Sequence, residues 1–289
     1  MKIKILIPIY NDWQSVFKLL ENINSEISGL EHEFSAIIVN DASTESRPEI
    51  NLNLNNLNSI KIINMKENRG HARCNAAGLK HIFENEEFDY VIPMDGDGED
   101  RPEEIKQLID NLNYHPDKPI VGERIKRSEG IFFKFCYFAH KIITSTFTGQ
   151  SIKYGNYTCL PKSIVEKMIN EKATWSSFSG ALAKITKDRA IIPSERGTRY
   201  FGPSKMSFFN LLKHSLSIIA VFKTAVFVRS IIFLFVYLFF TYQFLSIITL
   251  IPVFLIFILV FSVIFLSKRE NLNELNNSLS NINNIENFN

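Results

Sequence analysis

The sequence of 289 residues contains few cysteines and lacks the short motifs that mark several common classes of protein. Its three cysteines, Cys74, Cys136 and Cys159, are widely spaced and form no paired motif. This pattern argues against a zinc framework or a disulfide scaffold and indicates a reducing compartment. Because no glycine-rich dinucleotide fingerprint or P-loop lysine motif follows a predicted strand, neither a nicotinamide enzyme nor a P-loop ATPase is expected. No signal peptide is expected, since Met1-Lys2 leads directly into an alternating strand pattern.

A net charge of only +2 conceals an uneven charge distribution. Residues 1–120 carry 12 basic and 21 acidic side chains, whereas residues 121–230 carry 18 basic and 6 acidic ones. An acidic first part suits a metal site, and a basic second part suits phosphate groups or an anionic membrane face. No nucleic acid is expected among the partners.

A long apolar run of 38 residues without a formal charge lies between Arg229 and Lys268. One helix of that length would measure about 57 Å, nearly twice the hydrocarbon thickness of about 30 Å. Two membrane-spanning helices in a hairpin fit better, with the turn near residues 241–243 or near Pro252. Basic residues at both ends predict that both ends face the cytoplasm. The alternative is a buried pair of helices in a soluble protein.

The first 112 residues alternate between strand and helix patterns. Strands are predicted at 2–9, 34–39, 60–63 and 88–94, each followed by a polar turn and a helical pattern. This order predicts an α/β fold with a mostly parallel sheet and helices on both faces. Ligands of such sheets bind at the carboxyl ends of the strands. One crevice would then collect Tyr10, Asp12, Asp41, Arg69, Asp95 and Asp97.

The fourth predicted strand ends in four carboxylates within six residues, Asp95, Asp97, Glu99 and Asp100. Carboxylates at this density repel one another unless a cation lies among them, and hard divalent ions prefer carboxylate oxygen. The stretch is therefore either a divalent metal site or an acidic surface turn, since Asp-Gly pairs commonly form turns.

Several short motifs occur in the order found in family 2 glycosyltransferases. They are Pro8-Ile-Tyr-Asn11, Asn40-Asp-Ala-Ser-Thr-Glu45, Asn68-Arg-Gly70, Asp95-Gly-Asp97 with Asp100-Arg-Pro-Glu103, Gly122-Glu-Arg-Ile-Lys-Arg127, Gly155-Asn-Tyr-Thr-Cys-Leu-Pro161 and Arg196-Gly-Thr-Arg-Tyr-Phe-Gly-Pro-Ser-Lys205. Over residues 1–267 the chain resembles this family, and within it the polyprenyl-phosphate glycosyltransferases, including dolichyl-phosphate mannose synthase. The resemblance implies a glycosyltransferase A fold, a Rossmann-like sheet followed by interfacial helices and a transmembrane hairpin.

The resemblance also implies a donor site for a UDP- or GDP-sugar. Asp95 and Asp97 would hold Mg²⁺ or Mn²⁺, which stabilises the diphosphate leaving group, while Gly96 would let the backbone approach the ribose. Asp41 would accept a hydrogen bond from the base, and Tyr10 would lie against it. The full set of predicted donor-binding residues is Pro8, Tyr10, Asn11, Asp12, Asp41, Arg69, Asp95, Gly96, Arg196 and Ser204. Asn40 and Glu45 stand where the family usually has aspartate, so the base is left open.

The acceptor side follows from the basic second part of the chain. The residues expected to act in catalysis are Asp97, Arg124, Arg127, Arg199 and Lys205, because a guanidinium matches phosphate oxygens bidentately. A hydroxyl acceptor needs a carboxylate base, whereas a phosphate monoester is already anionic. The family commonly has an acid where this chain has Asn156. A polyprenyl phosphate acceptor fits that amide, although the amide leaves the acceptor open.

Four segments are predicted: a cytoplasmic catalytic domain at 1–205, an interfacial amphipathic helix at 206–228, two transmembrane helices at 229–267, and an Asn-rich disordered cytoplasmic tail at 268–289. Aromatic-rich helical patterns at 131–147 and 206–222 are typical of helices that lie in the headgroup plane. Core helices packed on the sheet would have the same periodicity.

The sequence thus predicts a membrane-bound, metal-dependent, inverting glycosyltransferase that transfers a sugar to a polyprenyl phosphate at the cytoplasmic face. One alternative is transfer to a saccharide or other hydroxyl in envelope polysaccharide synthesis. Another is a non-catalytic membrane scaffold that keeps a decayed transferase fold. A processive synthase is not expected, because no Gln-x-x-Arg-Trp motif exists. Membrane lipid is an expected partner, and a homo-oligomer is compatible with these patterns.

Overall fold

The structure is a computed structural model that describes residues 1–49, 52–126, 131–203 and 207–288. Eight strands form one sheet: β1 Lys2–Ile9, β2 Glu33–Asn40, β3 Ser59–Met65, β4 Tyr90–Pro93, β5 Ile120–Lys126, β6 Tyr154–Pro161, β7 Ala190–Glu195 and β8 Ile282–Phe288. The helices are α1 Trp13–Glu26, α2 His71–Asn85, α3 Ile105–Leu112, α4 Ile131–Thr148, α5 Lys162–Ile169, α6 Phe178–Ile185, α7 Phe208–Ala220, α8 Lys223–Thr241, α9 Ile247–Ser267 and α10 Leu272–Asn276.

The strands lie in the order β7-β5-β6-β4-β1-β2-β3-β8. Strand β1 pairs in parallel with both β2 and β4, and β3 pairs in parallel with β2. Strand β6 runs antiparallel to β4 and β5. The first four strands therefore place their carboxyl ends along one edge of the sheet. The predicted α/β fold with a mostly parallel sheet is confirmed.

The central strand β1 is apolar on both of its faces. Ile3, Ile5 and Ile7 pack into the core that includes α1 and α3, whereas Leu6 packs into the core on the opposite face. A parallel strand covered by helices on both sides reads as a continuous apolar run, which explains its sequence. Its buried charge, Lys4, donates to the Glu86 carboxylate at 3.0 Å.

Helices α8 and α9 are each long and apolar enough to cross a membrane, with mean hydropathies of 2.1 and 3.1 over their most apolar windows. Helix α8 ends at Thr241 and a short 3₁₀ turn follows at Tyr242–Phe244. The turn therefore lies at the first of the two predicted positions, and Pro252 is inside α9.

The predicted boundary at residue 229 differs from the structure. Helix α8 begins at Lys223 and contains Arg229, whose guanidinium donates to the Thr146 carbonyl at 2.9 Å. Carbonyls at a helix end attract cations, so the carboxyl end of α4 accommodates this charge within the helix. Gly149 leaves the necessary space, because a Cβ there would lie 2.6 Å from the guanidinium.

The prediction of a disordered tail is wrong for residues 268–288. Strand β8 runs antiparallel to β3 at the edge of the sheet, from the Ile60–Phe288 pair to the Met65–Ile282 pair. An edge strand needs backbone hydrogen bonds and a few apolar anchors, and its polar side chains can remain in water. The Phe288 ring stacks on Phe17 with centroids 5.6 Å apart. Asn-rich composition therefore does not prevent this segment from folding.

Substitution Leu275→Ala tests the ordered tail. Leu275 on α10 is fully buried against Ala76 and Trp175, so its truncation should lower the free energy of unfolding by about 2–4 kcal/mol in detergent. The matched control is Leu272→Ala on the same helix, where the side chain is 39% exposed and the expected loss is below about 0.5 kcal/mol. Equal, negligible losses in chemical denaturation would support a tail that does not pack.

Candidate active site

The acidic turn after β4 is closed by its own carboxylates. Asp95 donates its backbone N–H to Asp100 Oδ2 at 2.9 Å, and Glu99 donates its own to Asp97 Oδ1 at 3.0 Å. Gly98 has φ +89°, and a Cβ there would lie 2.5 Å from the Tyr200 ring. The turn is thus a compact loop that only glycine permits at this position.

Gly96 sits between the two predicted metal ligands and lies against the end of β1. A Cβ at this position would lie 3.0 Å from Ile9 Cγ2 and 3.3 Å from Ile7 Cγ2. The close approach of the turn to β1 is a local structural reason for this glycine. Its predicted contact with ribose stays a prediction.

Arg199 joins the ends of β1 and β4. Its Nη1 donates to Asp97 Oδ2 at 2.7 Å, its Nη2 donates to the Asp12 carboxylate, and its Nε donates to the Phe201 carbonyl at 3.0 Å. Three predicted site residues, Asp12, Asp97 and Arg199, therefore meet although they are far apart in sequence.

Asp95 is contacted by two further side chains. Asn156 Nδ2 donates to Asp95 Oδ1 at 3.2 Å and lies 2.7 Å from His71 Nε2, which is itself 3.3 Å from Asp95 Oδ1. Asn156 reaches this point because β6 lies beside β4. Sequence reasoning missed His71. The available signal was its position directly after the Asn68-Arg-Gly70 motif, where it begins α2.

The loop before α2 holds the predicted base-binding aspartate. Asp41 accepts the backbone N–H groups of Arg69 and Gly70 at 3.0 and 2.8 Å. The Arg69 side chain donates to Glu67 Oε1, with the Nε contact at 2.9 Å. Gly70 has φ +92°, which allows the chain to turn into the helix.

The loops that follow β1 and β2 are also joined. Asn11, at φ 51°, accepts the backbone N–H groups of Thr44 and Glu45 through Oδ1, at 2.8 and 3.1 Å. Tyr10 beside it is 41% exposed and open to a ligand, while Pro8 is buried within β1.

Three of the predicted phosphate-binding arginines contact the acidic turn. Arg199 pairs with Asp97, Arg196 pairs with Glu99, and Arg124 Nη2 lies 3.5 Å from Asp100 Oδ1. The predicted site residues Arg127, Ser204 and Lys205 lie outside the described residues. The structure thus brings the predicted acidic and basic groups to one edge of the sheet.

The pKa values of the carboxyl groups in the turn reflect how close together these groups lie. Burial, together with the neighbouring Asp95 charge, raises the pKa of Asp97 to about 6 and that of Asp100 to about 8. Burial also disfavours ionised Asp95, but His71, Asn156 and Arg124 outweigh it and lower the pKa of Asp95. One ionised carboxylate therefore raises the cost of ionising the other two.

The chemistry of the turn fits a divalent cation. No group of three or more His, Cys, Asp or Glu side chains in metal-binding geometry occurs among the described residues. Asp95 and Asp97 offer hard carboxylate oxygens, and Mg²⁺ is commonly held by one or two carboxylates plus substrate phosphates. A cation would also relieve the repulsion that raises the pKa of Asp97. The pair therefore fits an ion shared with a bound diphosphate.

The fold and the strand-end carboxylates define a glycosyltransferase A type α/β protein. The model of the family "Glycosyl transferase family 2" matches residues 4–164, more than half of the sequence. The chain belongs to glycosyl transferase family 2. The sequence-based prediction of this family is confirmed.

Solved structures share this fold at low sequence identity. Glucosyl-3-phosphoglycerate synthase from Mycobacterium tuberculosis, solved with Mn²⁺, UDP and glucosyl-3-phosphoglycerate, is 12% identical with a TM-score of 0.54, over 78% of this chain and 79% of that one. Mannosyl-3-phosphoglycerate synthase from Rubrobacter xylanophilus is 9% identical with a TM-score of 0.53, over 76% and 72%. S. aureus TarS 1–349 is 14% identical with a TM-score of 0.43, over 68% of this chain and 59% of that one. The chain thus spans about three fifths of that TarS chain.

Substitution Asp97→Asn should abolish divalent-dependent binding of a nucleotide diphosphate, because an amide cannot supply the anionic oxygen. Binding of UDP and of GDP would be measured by calorimetry, with MnCl₂ and with EDTA. Asp110→Asn is the matched control, since Asp110 pairs only with Lys106 on the surface of α3 among the described contacts. Tight binding in EDTA that Asp97→Asn leaves unchanged would contradict the predicted metal site.

The affinity should also depend on pH through Asp97. Because its pKa is raised to about 6, protons compete with the cation well above the ordinary range of a carboxyl. The divalent-dependent Kd should rise about tenfold from pH 7.5 to pH 5, whereas an unshifted carboxyl would change it little. A UDP- or GDP-sugar is the suitable ligand, since its diphosphate diester does not titrate in this window. The control variant His71→Asn should keep the dependence, and a flat profile in the wild type would contradict it.

Proposed function

We propose that this protein is a membrane-bound, metal-dependent, inverting glycosyltransferase that transfers a sugar from a UDP- or GDP-sugar to a polyprenyl phosphate. The observation that carries the proposal is the pairing of three carboxylates of the acidic turn, Asp97 among them, with arginines at one edge of the sheet, beside a helix that leads into the two apolar helices. Each part of the reaction draws on a different group of contacts around that edge.

The donor would bind across the carboxyl ends of β1, β2 and β4. Exposed Tyr10 offers a ring face for the base, and Asp41 is already oriented by the Arg69 and Gly70 amides. Asp95 and Asp97 would hold Mg²⁺ or Mn²⁺, which when bound supplies positive charge to the diphosphate. The Mycobacterium tuberculosis structure of the same fold contains Mn²⁺ and UDP, which supports this choice of ligands.

The arginines would hold phosphate groups once the donor is bound. Arg199 is 13% exposed and bonds to both Asp97 and Asp12, so it lies within reach of any diphosphate at the turn. Arg124 and Arg196 approach from β5 and from the segment after β7. A diphosphate and its cation can replace the carboxylate contacts of these side chains without leaving a buried charge unpaired.

The acceptor is inferred from Asn156. Its amide lies 3.2 Å from Asp95 and 2.7 Å from His71, in the position where the family commonly has an acid. An amide cannot remove a proton from a hydroxyl, but a phosphate monoester arrives as an anion and needs no base. The site therefore favours a phosphate acceptor over a hydroxyl acceptor.

The position of α7 supports a lipid carrier for that phosphate. His214 on α7 is close enough to Asp95 and His71 to interact with their charges, and burial lowers its pKa to about 4. The beginning of the same helix exposes Phe208, Phe209 and Leu212. Exposed aromatic and aliphatic side chains beside a polar site suit the surface of a membrane. A lipid phosphate could reach the turn from that surface.

The proposed membrane arrangement follows from the chain path. Helices α8 and α9 would cross the membrane, with α7 in the interface and the catalytic domain at 1–205 in the cytoplasm. Basic residues at both ends of the apolar run support the cytoplasmic side. The pairing of β8 with β3 supports the same side for both ends of the hairpin, since the chain after α9 returns to the catalytic sheet.

Purified protein in detergent or vesicles, incubated with labelled UDP- and GDP-sugars, Mn²⁺ or Mg²⁺ and a polyprenyl phosphate, should form a labelled lipid. Asp97→Asn should form none, because the cation would no longer be held, and Asp110→Asn should retain the activity.

The other outcomes separate the alternatives. Transfer to an oligosaccharide but not to the lipid phosphate would replace this proposal with a hydroxyl-accepting enzyme. Absence of transfer across a broad sugar panel, together with absence of divalent-dependent nucleotide binding, would indicate a non-catalytic scaffold.

A further inference from the structure

We propose that the C-terminal strap, defined as residues 268–288, positions the loop at residues 66–70 for donor binding, with Asn281 and Glu274 as positioning residues. The inference rests on the proposed function, because it assigns this loop to the nucleotide site. It extends that function by making the segment after the second apolar helix a part of the donor site.

The strap is bonded to the outer side of the loop. Lys66 donates its backbone N–H to the Asn281 carbonyl at 2.7 Å, and its Nζ donates to the Ser280 carbonyl at 2.7 Å. In return, Asn281 Nδ2 donates to the Glu67 carbonyl at 3.1 Å. Asn281 is 5% exposed, so these hydrogen bonds are shielded from water.

The inner side of the same loop contacts residues of the proposed ligand site. The next residues, Arg69 and Gly70, donate their amides to Asp41, and His71 then contacts Asp95 and Asn156. Six consecutive residues, 66–71, thus connect the strap to Asp41 and Asp95, two of the carboxylates of the proposed donor site. A shift of the outer bonds would move the amides that orient Asp41.

A second set of contacts holds the first turn of α2. Trp175 Nε1 donates to Glu274 Oε2 at 2.6 Å, and Arg73 Nη2 lies 3.5 Å from the same oxygen. The Arg73 guanidinium also lies over the Trp175 ring, 5.4 Å from its centroid. Glu274 therefore ties α10 to the helix that begins at the donor loop, and it shares a cavity of about 490 Å³ with Arg69.

The strap follows α9 directly, and its first helix begins after only a few residues. Helix α9 ends at Ser267 and α10 begins at Leu272. The short link means that the donor loop and the second apolar helix are attached to one another through the strap. Removal of its contacts should loosen the loop while the sheet and the acidic turn keep their own bonds.

The test compares Asn281→Ala, Glu274→Ala and the conservative Glu274→Gln with Asn284→Ala. Asn284 lies on the same strap, but among the described contacts its side-chain amide donates a hydrogen bond only to Glu286, which is also on the strap. UDP and GDP binding with MnCl₂ would be measured by calorimetry, and amide hydrogen exchange would be followed at residues 66–70.

Asn281→Ala should raise the Kd of the bound nucleotide about fivefold, the loss expected for one hydrogen bond, and Glu274→Ala should do likewise. Exchange at residues 66–70 should increase about tenfold in both variants. Glu274→Gln should recover most of the affinity, since its amide oxygen can still accept from Trp175. With labelled sugar, the KM for the donor should rise while kcat changes less than about twofold.

Two outcomes overturn the inference in distinguishable ways. If the wild type binds nucleotide and Asn281→Ala binds equally well, the strap is a structural cap only and the proposed function stands. If the wild type binds neither UDP nor GDP with the metal, the proposed function and this inference both fail.

Discussion

Repulsion among the carboxylates that follow β4 is the constraint on which the rest of the site depends. Asp95, Asp97 and Asp100 share one partly buried turn, so burial and mutual repulsion keep their pKa values apart. Cationic side chains from distant segments offset this repulsion. The guanidinium of Arg199 bridges Asp97 and Asp12 across the ends of two strands. These ion pairs stabilise the site without a ligand. The same carboxylates and arginines would also attract a cation and a diphosphate.

The sheet could be predicted well because its strands combine two strong signals. β1 is apolar on both faces and ends in a polar turn, and the same pattern repeats in β2, β3 and β4. Parallel pairing then brings the strand ends together, so Asp12, Asp41 and Asp97 could be assigned to one edge from sequence order alone. The hairpin was predictable for a similar reason, since 38 residues without a charge exceed one membrane crossing.

The contacts that sequence reasoning missed depend on tertiary partners. His71 carries no periodic signal, and its approach to Asp95 follows from the way Asp41 holds the preceding amides. Arg229 looked like a helix boundary, but the end of α4 accepts its charge inside α8. The Asn-rich tail looked disordered because its polar composition indicates that few side chains can be buried. Strand β8 is instead stabilised mainly by backbone hydrogen bonds to the edge strand β3. The places of Arg196 and Arg124 relative to the acidic turn likewise required the folded chain.

The pairing of β8 with β3 has a consequence for how the protein is made. Lys66 and Ser280, which meet beside this pair, are 214 residues apart, and both apolar helices lie between them. During synthesis, the edge of β3 that pairs with β8 therefore stays unpaired until both apolar helices and β8 have been made. Such an edge is a template for unwanted strand pairing. The last strand closes it. In the proposed membrane arrangement, this closure requires the hairpin to return the chain to the side from which it left, so the number of crossings between β3 and β8 would be even.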